Sequence, residues 1–173
     1  MDSFNNRNRE LRILVTGGAG FIGGAVIRKL LLETSFYIFN LDKIGYASNL
    51  TSINKTISSL GIEKEERHKL LKVDLTNSSE THSAVEFANP DLIMHLAAES
   101  HVDRSIDGPT AFIKSNILGT FNLLEAAREH YEKLSYKRKS DFRFHHISTD
   151  EVYGALGKEG KFKESSQYNP RSP

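Results

Sequence analysis

The feature that most constrains this chain is a glycine-rich turn between a short apolar run and a segment with helical spacing. Residues 11–15 form the run, residues 16–23 read TGGAGFIG, and apolar side chains recur at helical spacing through residues 21–32. A strand, a tight turn and a helix are therefore predicted in succession. Glycines at 17, 20 and 23 would permit positive backbone angles, close approach of a pyrophosphate and tight helix packing.

The amino end of this predicted helix supports the same interpretation. Its free backbone amides and the positive end of its dipole would face a bound phosphate, so no Lys or Arg is required there. A tight connection between strand and helix with no ligand is the alternative. The strand, turn and helix context favours a dinucleotide-binding loop.

The rest of the chain alternates predicted strands with helical stretches. Further strands are predicted at residues 36–41, 68–73, 92–96 and 142–147, and helices at 79–88 and 110–134. Strands that alternate with helices and are joined to them by short loops are typical of a parallel sheet, because two parallel neighbours must be connected by a crossover, usually a helix. The predicted fold is an α/β Rossmann-type doubly wound parallel sheet with helices on both faces.

The length of 173 residues favours one domain. Residues 1–10 are predicted to be a polar tail and residues 11–173 a dinucleotide-binding domain. From Gly154 onward the sequence is polar, and it predicts no further strand or helix.

Composition argues against several classes of function. The chain has 23 Lys plus Arg against 22 Asp plus Glu, so it offers no overall positive field for nucleic acid or a membrane surface. It has no cysteine and no apolar run long enough to span a bilayer. We therefore expect a cytoplasmic protein. His95, His145 and His146 lie on predicted strands without nearby Cys or spaced carboxylates, so no metal site is predicted.

Acidic residues follow two of the predicted strands. Asp42 stands 22 positions after Gly20, where a carboxylate accepts hydrogen bonds from the adenosine ribose, which predicts NAD as the cofactor. The neighbouring Lys43 leaves NADP open, because its charge could attract a 2′-phosphate. Asp74 follows the third strand and is assigned to the adenine edge, although a helix cap would look the same in sequence.

Three strings carry a resemblance to a known family: TGGAGFIG at 16–23, HLAAESHVDRSI at 95–106 and STDEVYG at 148–154. The chain resembles the extended short-chain dehydrogenase/reductases of the NAD-dependent epimerase/dehydratase type, and among them the dTDP-glucose 4,6-dehydratases. In that family NAD takes a hydride from carbon 4 of the hexose, water leaves across carbons 5 and 6, and the hydride returns to carbon 6. The resemblance thus implies a lyase of deoxysugar or rhamnose biosynthesis with dTDP-glucose as substrate.

The resemblance also implies roles for individual residues. Glu151 would take the carbon 5 proton, Asp150 would protonate the departing hydroxyl, and Thr149 would bind the sugar near carbon 4. Ser100 would also contact the substrate. With the residues discussed above, the predicted cofactor-binding set is Gly17, Gly20, Phe21, Ile22, Gly23, Asp42, Lys43, Asp74, Leu75, Leu96, Ala97, Ala98 and Ser115.

Purely structural roles, with no ligand, would also explain several of these residues. Asp42 could end a strand, Ala97 and Ala98 could pack on a helix, and an isolated pair such as Asp150 and Glu151 would normally be a solvated loop. Burial beside substrate would be needed to keep Asp150 protonated while Glu151 stays ionised.

The family also uses a Tyr-x-x-x-Lys pair, which this sequence does not contain at the expected place. We therefore expect an N-terminal part that lacks the last strands and the substrate domain and is inactive alone. A full-length enzyme of this kind is expected to be a homodimer. A UDP-glucose 4,6-dehydratase, another nucleotide-sugar epimerase or decarboxylase, and a non-catalytic NAD-binding module remain alternatives.

Overall fold

The computed structural model describes residues 10–61 and 66–171. A parallel β-sheet forms the centre of the fold. Residues 1–9, most of the predicted polar tail, lie outside this description, as do Ser172 and Pro173. Within the described ranges the sheet has five strands in the order β3-β2-β1-β4-β5, all paired in parallel. They are β1 Arg12–Thr16, β2 Tyr37–Asp42, β3 His68–Lys72, β4 Leu92–His95 and β5 Arg143–His146. Each predicted strand is present, with both ends within one residue of the prediction.

Helices connect these strands. They are α1 Phe21–Glu33, α2 Thr51–Leu60, α3 Ser78–Ala88, α4 Val102–Asp107, α5 Pro109–Phe112, α6 Gly119–Lys133 and α7 Tyr136–Asp141. A π-helical turn, Ile113–Leu118, joins α5 to α6, and a 3₁₀ turn, Asp150–Tyr153, follows β5. The sequence had indicated one uninterrupted helix over residues 110–134. That expectation was wrong near its start, at Ile113–Leu118, where the backbone takes the wider i→i+5 hydrogen-bond pattern of a π-helix.

Alternating side chains of the central strand divide the core between the two sheet faces. Leu14 packs with side chains of α3 and α6, including Val85 and Leu123. Its neighbours Ile13 and Val15 point the other way and pack with Ile27 of α1 and Ile53 of α2. Because apolar clusters cover both faces, the predicted doubly wound Rossmann-type architecture is confirmed. Among the described residues, no helix is both long enough and apolar enough to cross a membrane.

Candidate functional site: a cleft at the carboxyl ends of the strands

A cleft of about 400 Å³ lies where the strands of the sheet end. Open parallel sheets bind ligands at this edge, beside the point where the strand order reverses, here between β1 and β4. All thirteen predicted cofactor-binding residues line the cleft, together with Ser100. The structure thus brings the predicted set to one place, and its binding role stays a prediction.

The glycine loop forms the floor of the cleft. Gly17 has φ +68°, and a Cβ built there would stand 2.7 Å from both the N and Cα atoms of Ala97. A Cβ on Gly23 would overlap the Gly17 carbonyl oxygen. Gly17 N donates to Leu41 O at 2.8 Å, which fixes the loop to the end of β2. Neighbouring backbone thus leaves no room for a side chain at Gly17 or Gly23, and the cleft beside these glycines is open to a ligand.

Asp42 ends β2 and is 8% exposed. Its Oδ2 accepts from Ala19 N at 3.0 Å, and its Oδ1 accepts from Ile44 N at 2.8 Å and from Ser48 Oγ at 3.0 Å. The carboxylate is therefore held rigidly against the glycine loop. Asp42 also lines the cleft, and its role in binding the adenosine ribose stays a prediction.

Two contacts cross between the loop after β2 and the segment after β4. Lys43 Nζ lies 2.9 Å from Glu99 Oε1, and the Arg104 guanidinium stacks 3.8 Å from the centre of the Tyr46 ring. Asn116, on the π-helical turn, binds the backbone of Glu99 twice: Glu99 N donates to its Oδ1 at 2.8 Å, and its Nδ2 donates to Glu99 O at 2.9 Å. The interruption in the predicted long helix thus positions the segment that carries Glu99.

Asp74 lies in an exposed turn after β3. Its Oδ1 accepts from Thr76 N at 2.9 Å, whereas the cap of the following helix is Asn77, which accepts from Glu80 N at 3.2 Å. Capping therefore does not explain Asp74, and its second carboxylate oxygen has no partner within the described part of the chain.

A buried histidine links the glycine loop to α6. His95 Nδ1 lies 2.7 Å from Thr16 Oγ1, and His95 Nε2 lies 2.9 Å from Thr120 Oγ1. Thr16 Oγ1 also accepts from Ala97 N at 3.2 Å. Burial, and to a lesser degree the charge of His146, lowers the pKa of His95 to about 4. A neutral imidazole thus joins the two threonines, a role for His95 that was not predicted from the sequence.

The predicted catalytic residues lie on the loop after β5. Thr149 caps the 3₁₀ turn by accepting from Glu151 N at 3.2 Å. Residues further along the chain also contact this turn. Asn169 N donates to Val152 O at 3.0 Å, and the Tyr153 ring packs against the rings of Phe162 and Tyr168. Thr149, Asp150 and Glu151 are all exposed. The burial expected to keep Asp150 protonated is therefore not supplied by the described residues.

The cleft and this loop share one edge of the sheet but are not one pocket. Ile147, directly after β5, lines the cleft, whereas residues 149–151 do not. Ile147 N donates to His95 O at 3.1 Å, so β4 and β5 stay paired up to the start of the loop. The carboxylates are positioned beside the cleft.

Comparison with known proteins agrees with these features. The family model described as GDP-mannose 4,6 dehydratase matches residues 14–173. The chain belongs to this family. The match includes the glycine loop, Asp42 and the Thr149–Glu151 loop.

Similar proteins support this membership. The dTDP-glucose 4,6-dehydratase of Salmonella typhimurium is 46% identical over 172 residues, which cover 94% of this chain and 46% of that protein. The crystal structure of the dTDP-glucose 4,6-dehydratase of Streptomyces venezuelae with NAD bound is 34% identical with a TM-score of 0.77, over 94% of this chain and 46% of that one. The Bacillus anthracis enzyme in complex with NAD is 30% identical with a TM-score of 0.74, over 94% and 45%. The chain spans about half the length of the relatives it matches.

Some residues that line the cleft were not predicted from the sequence. Glu99 lies inside the HLAAESHVDRSI string, but no role was predicted for it from the sequence. Tyr46 and Ser48 also line the cleft, from the loop between β2 and α2. A charged residue flanked by the small residues of a strand-end loop is a local signal for Glu99. No local pattern indicates Tyr46, because its contact with Arg104 joins two residues that are far apart in the chain.

Proposed function

We propose that this chain is the NAD-binding part of a nucleotide-sugar 4,6-dehydratase that acts on dTDP-glucose. One observation carries the proposal: the glycine loop, Asp42 and the Thr149–Glu151 loop occupy the same edge of one parallel sheet. A dinucleotide cleft beside a pair of carboxylates fits a reaction that combines hydride transfer with proton transfer.

The residues of the cleft fit NAD. The crowding around Gly17 and Gly23 leaves a floor of backbone that a pyrophosphate could approach, and the amino end of the 13-residue helix α1 faces it. Asp42 would accept hydrogen bonds from the adenosine ribose, and Asp74 would reach the adenine edge. Ala97, Ala98 and Ser115 would lie along the nicotinamide side. When bound, NAD would supply the transient hydride acceptor.

The carboxylates of the 3₁₀ turn would carry out the elimination. A ketone at carbon 4 acidifies the carbon 5 proton, so that a side-chain base can remove it. Glu151 would take this proton, and Asp150 would give a proton to the hydroxyl that leaves carbon 6 as water. Thr149 and Ser100 would hold the sugar. The exposure of Asp150 and Glu151 means that substrate, or chain beyond this domain, would have to provide their desolvation.

We assign residues 11–173 to an incomplete NAD-binding domain that works with a separate substrate domain in the cytoplasm. The exposed apolar stripe Ile113, Ile117, Phe121 and Leu124 runs along the π turn and α6, with 47 to 65% of each residue exposed. Helical spacing places these four side chains on one face. This stripe supports a homodimer of the complete enzyme, in which the stripe would be covered.

The test uses this chain alone and a chimaera in which the C-terminal half of the Salmonella typhimurium relative follows it. Each is incubated with dTDP-glucose or UDP-glucose, and loss of one water from the sugar nucleotide is followed by mass spectrometry. We expect product from dTDP-glucose with the chimaera, none with the chain alone, and strong loss in its Asp150→Asn and Glu151→Gln variants.

Another outcome would change the proposal. A folded chimaera that binds NAD but dehydrates neither sugar would contradict the dehydratase and favour an epimerase, a decarboxylase or a non-catalytic NAD-binding module.

A further inference from the structure

The charged groups of the cleft are unevenly distributed. Among the described lining residues, Asp42, Asp74 and Glu99 carry acidic side chains and Lys43 carries the one basic side chain. Lys43 directly follows the residue that ends β2, where a nearby cation can accommodate a 2′-phosphate on the adenosine ribose. From sequence alone this lysine left NADP open as the cofactor.

In the structure the Lys43 side chain forms an ion pair with Glu99. Its Nζ lies 2.9 Å from Glu99 Oε1, and the Glu99 side chain is 13% exposed while that of Lys43 is 41% exposed. A partly buried pair of this kind is less screened by solvent than a surface salt bridge. The ammonium is thereby held towards the segment after β4.

Glu99 is itself held in position. The Asn116 carboxamide binds its backbone N–H and its carbonyl, at 2.8 and 2.9 Å. The Arg104 and Tyr46 stack, at 3.8 Å, joins the same two segments at a second point. These contacts fix the backbone of Glu99, and the low exposure of its side chain restricts the positions that its carboxylate can take.

We propose that Glu99 is a specificity-determining residue: by holding Lys43 it withdraws the cation that would otherwise meet a 2′-phosphate, and the cleft therefore selects NAD over NADP. Asp42 repels a 2′-phosphate directly, and Glu99 acts through Lys43. This inference rests on the proposed binding of a dinucleotide.

The test measures Kd for NAD⁺ and NADP⁺ by calorimetry at fixed ionic strength, with thermal unfolding by circular dichroism as a check on folding. In Glu99→Gln, which keeps the shape and removes the charge, the ratio Kd(NADP⁺)/Kd(NAD⁺) should fall about tenfold, as expected when one charged hydrogen-bonding group becomes available. The matched control is Glu33→Gln, which removes a carboxylate from the exposed Lys29–Glu33 pair on α1 and should leave the ratio unchanged.

A double variant isolates the role of Lys43. Lys43→Met combined with Glu99→Gln removes both charges of the pair and should abolish the tenfold gain. An unchanged ratio in Glu99→Gln, or a gain that persists in the double variant, would each overturn the inference. Failure of the unmodified chain to bind either dinucleotide would instead count against the proposed function.

Discussion

His95 Nδ1 lies 2.7 Å from Thr16 Oγ1, at the point where β1 passes into the glycine loop. The folded protein holds this imidazole neutral, with its pKa lowered from 6.5 to about 4 mainly by burial. The unfolded chain takes up the proton near 6.5, so the contribution of His95 to stability is intact above that pH and is lost as the pH falls towards 4. Burial also lowers the pKa of His68 and of His130, which therefore act in the same direction.

We predict that lowering the pH from about 7 to about 5 costs about 2 kcal/mol of unfolding free energy through His95 alone. Urea unfolding at the two pH values measures the total, and His95→Gln isolates the share of this residue. The variant should be less stable at neutral pH, because it loses one threonine contact, and less sensitive to acid. Equal acid sensitivity in both proteins would show that His95 is not the titrating group.

The second prediction concerns Gly17, where a left-handed backbone and crowding coincide. Gly17 has φ +68°, and an added Cβ would stand 2.7 Å from Ala97 backbone atoms. Gly61 has a comparable φ of +82°, yet a Cβ there would meet no atom of the described residues within 4 Å. Gly61→Ala should therefore cost about 1 to 3 kcal/mol from backbone strain alone. Gly17→Ala should cost at least about 3 kcal/mol, since backbone must also move. Similar losses in urea unfolding would mean that the loop yields easily.

Different parts of this architecture could be predicted from sequence to different degrees. The glycine loop, Asp42 and the strand positions follow from local spacing, because apolar runs and turn residues act within a few positions of one another. The Lys43–Glu99 pair joins residues 56 positions apart and depends on the strand order. The π turn at Ile113–Leu118 escaped prediction because its side chains fit a helix pattern equally well. The exposure of Asp150 also could not be predicted, because the STDEVYG motif indicates which residues take part in the reaction and not which residues cover them.

The third prediction concerns Phe21, at the first position of α1. This side chain lines the cleft and is 96% exposed. Phe21→Ala should leave the unfolding free energy within about 0.5 kcal/mol, because it removes almost no packing. It should weaken NAD binding severalfold, since the ring would be covered by ligand. Leu32→Ala, on the same helix, 57% exposed and outside the cleft lining, is the matched control. Equal NAD affinity in Phe21→Ala and the unmodified chain would remove Phe21 from the binding set.

The last prediction separates two roles of Thr149. Its Oγ1 accepts from Glu151 N at 3.2 Å and lies 3.4 Å from Asp150 Oδ1, so the hydroxyl both caps the 3₁₀ turn and stands beside the proposed acid. Thr149→Ser keeps the hydroxyl and should retain most turnover in the chimaera, whereas Thr149→Val keeps the shape and should lose it. Asn77→Ala removes a cap of the same kind, at the N-cap of α3 and outside the cleft, and should cost about 1 kcal/mol of stability without loss of turnover. If Thr149→Val lowered stability by a similar amount and left kcat unchanged, the hydroxyl would serve the turn alone. A fall in kcat at unchanged stability would instead place it at the reacting sugar.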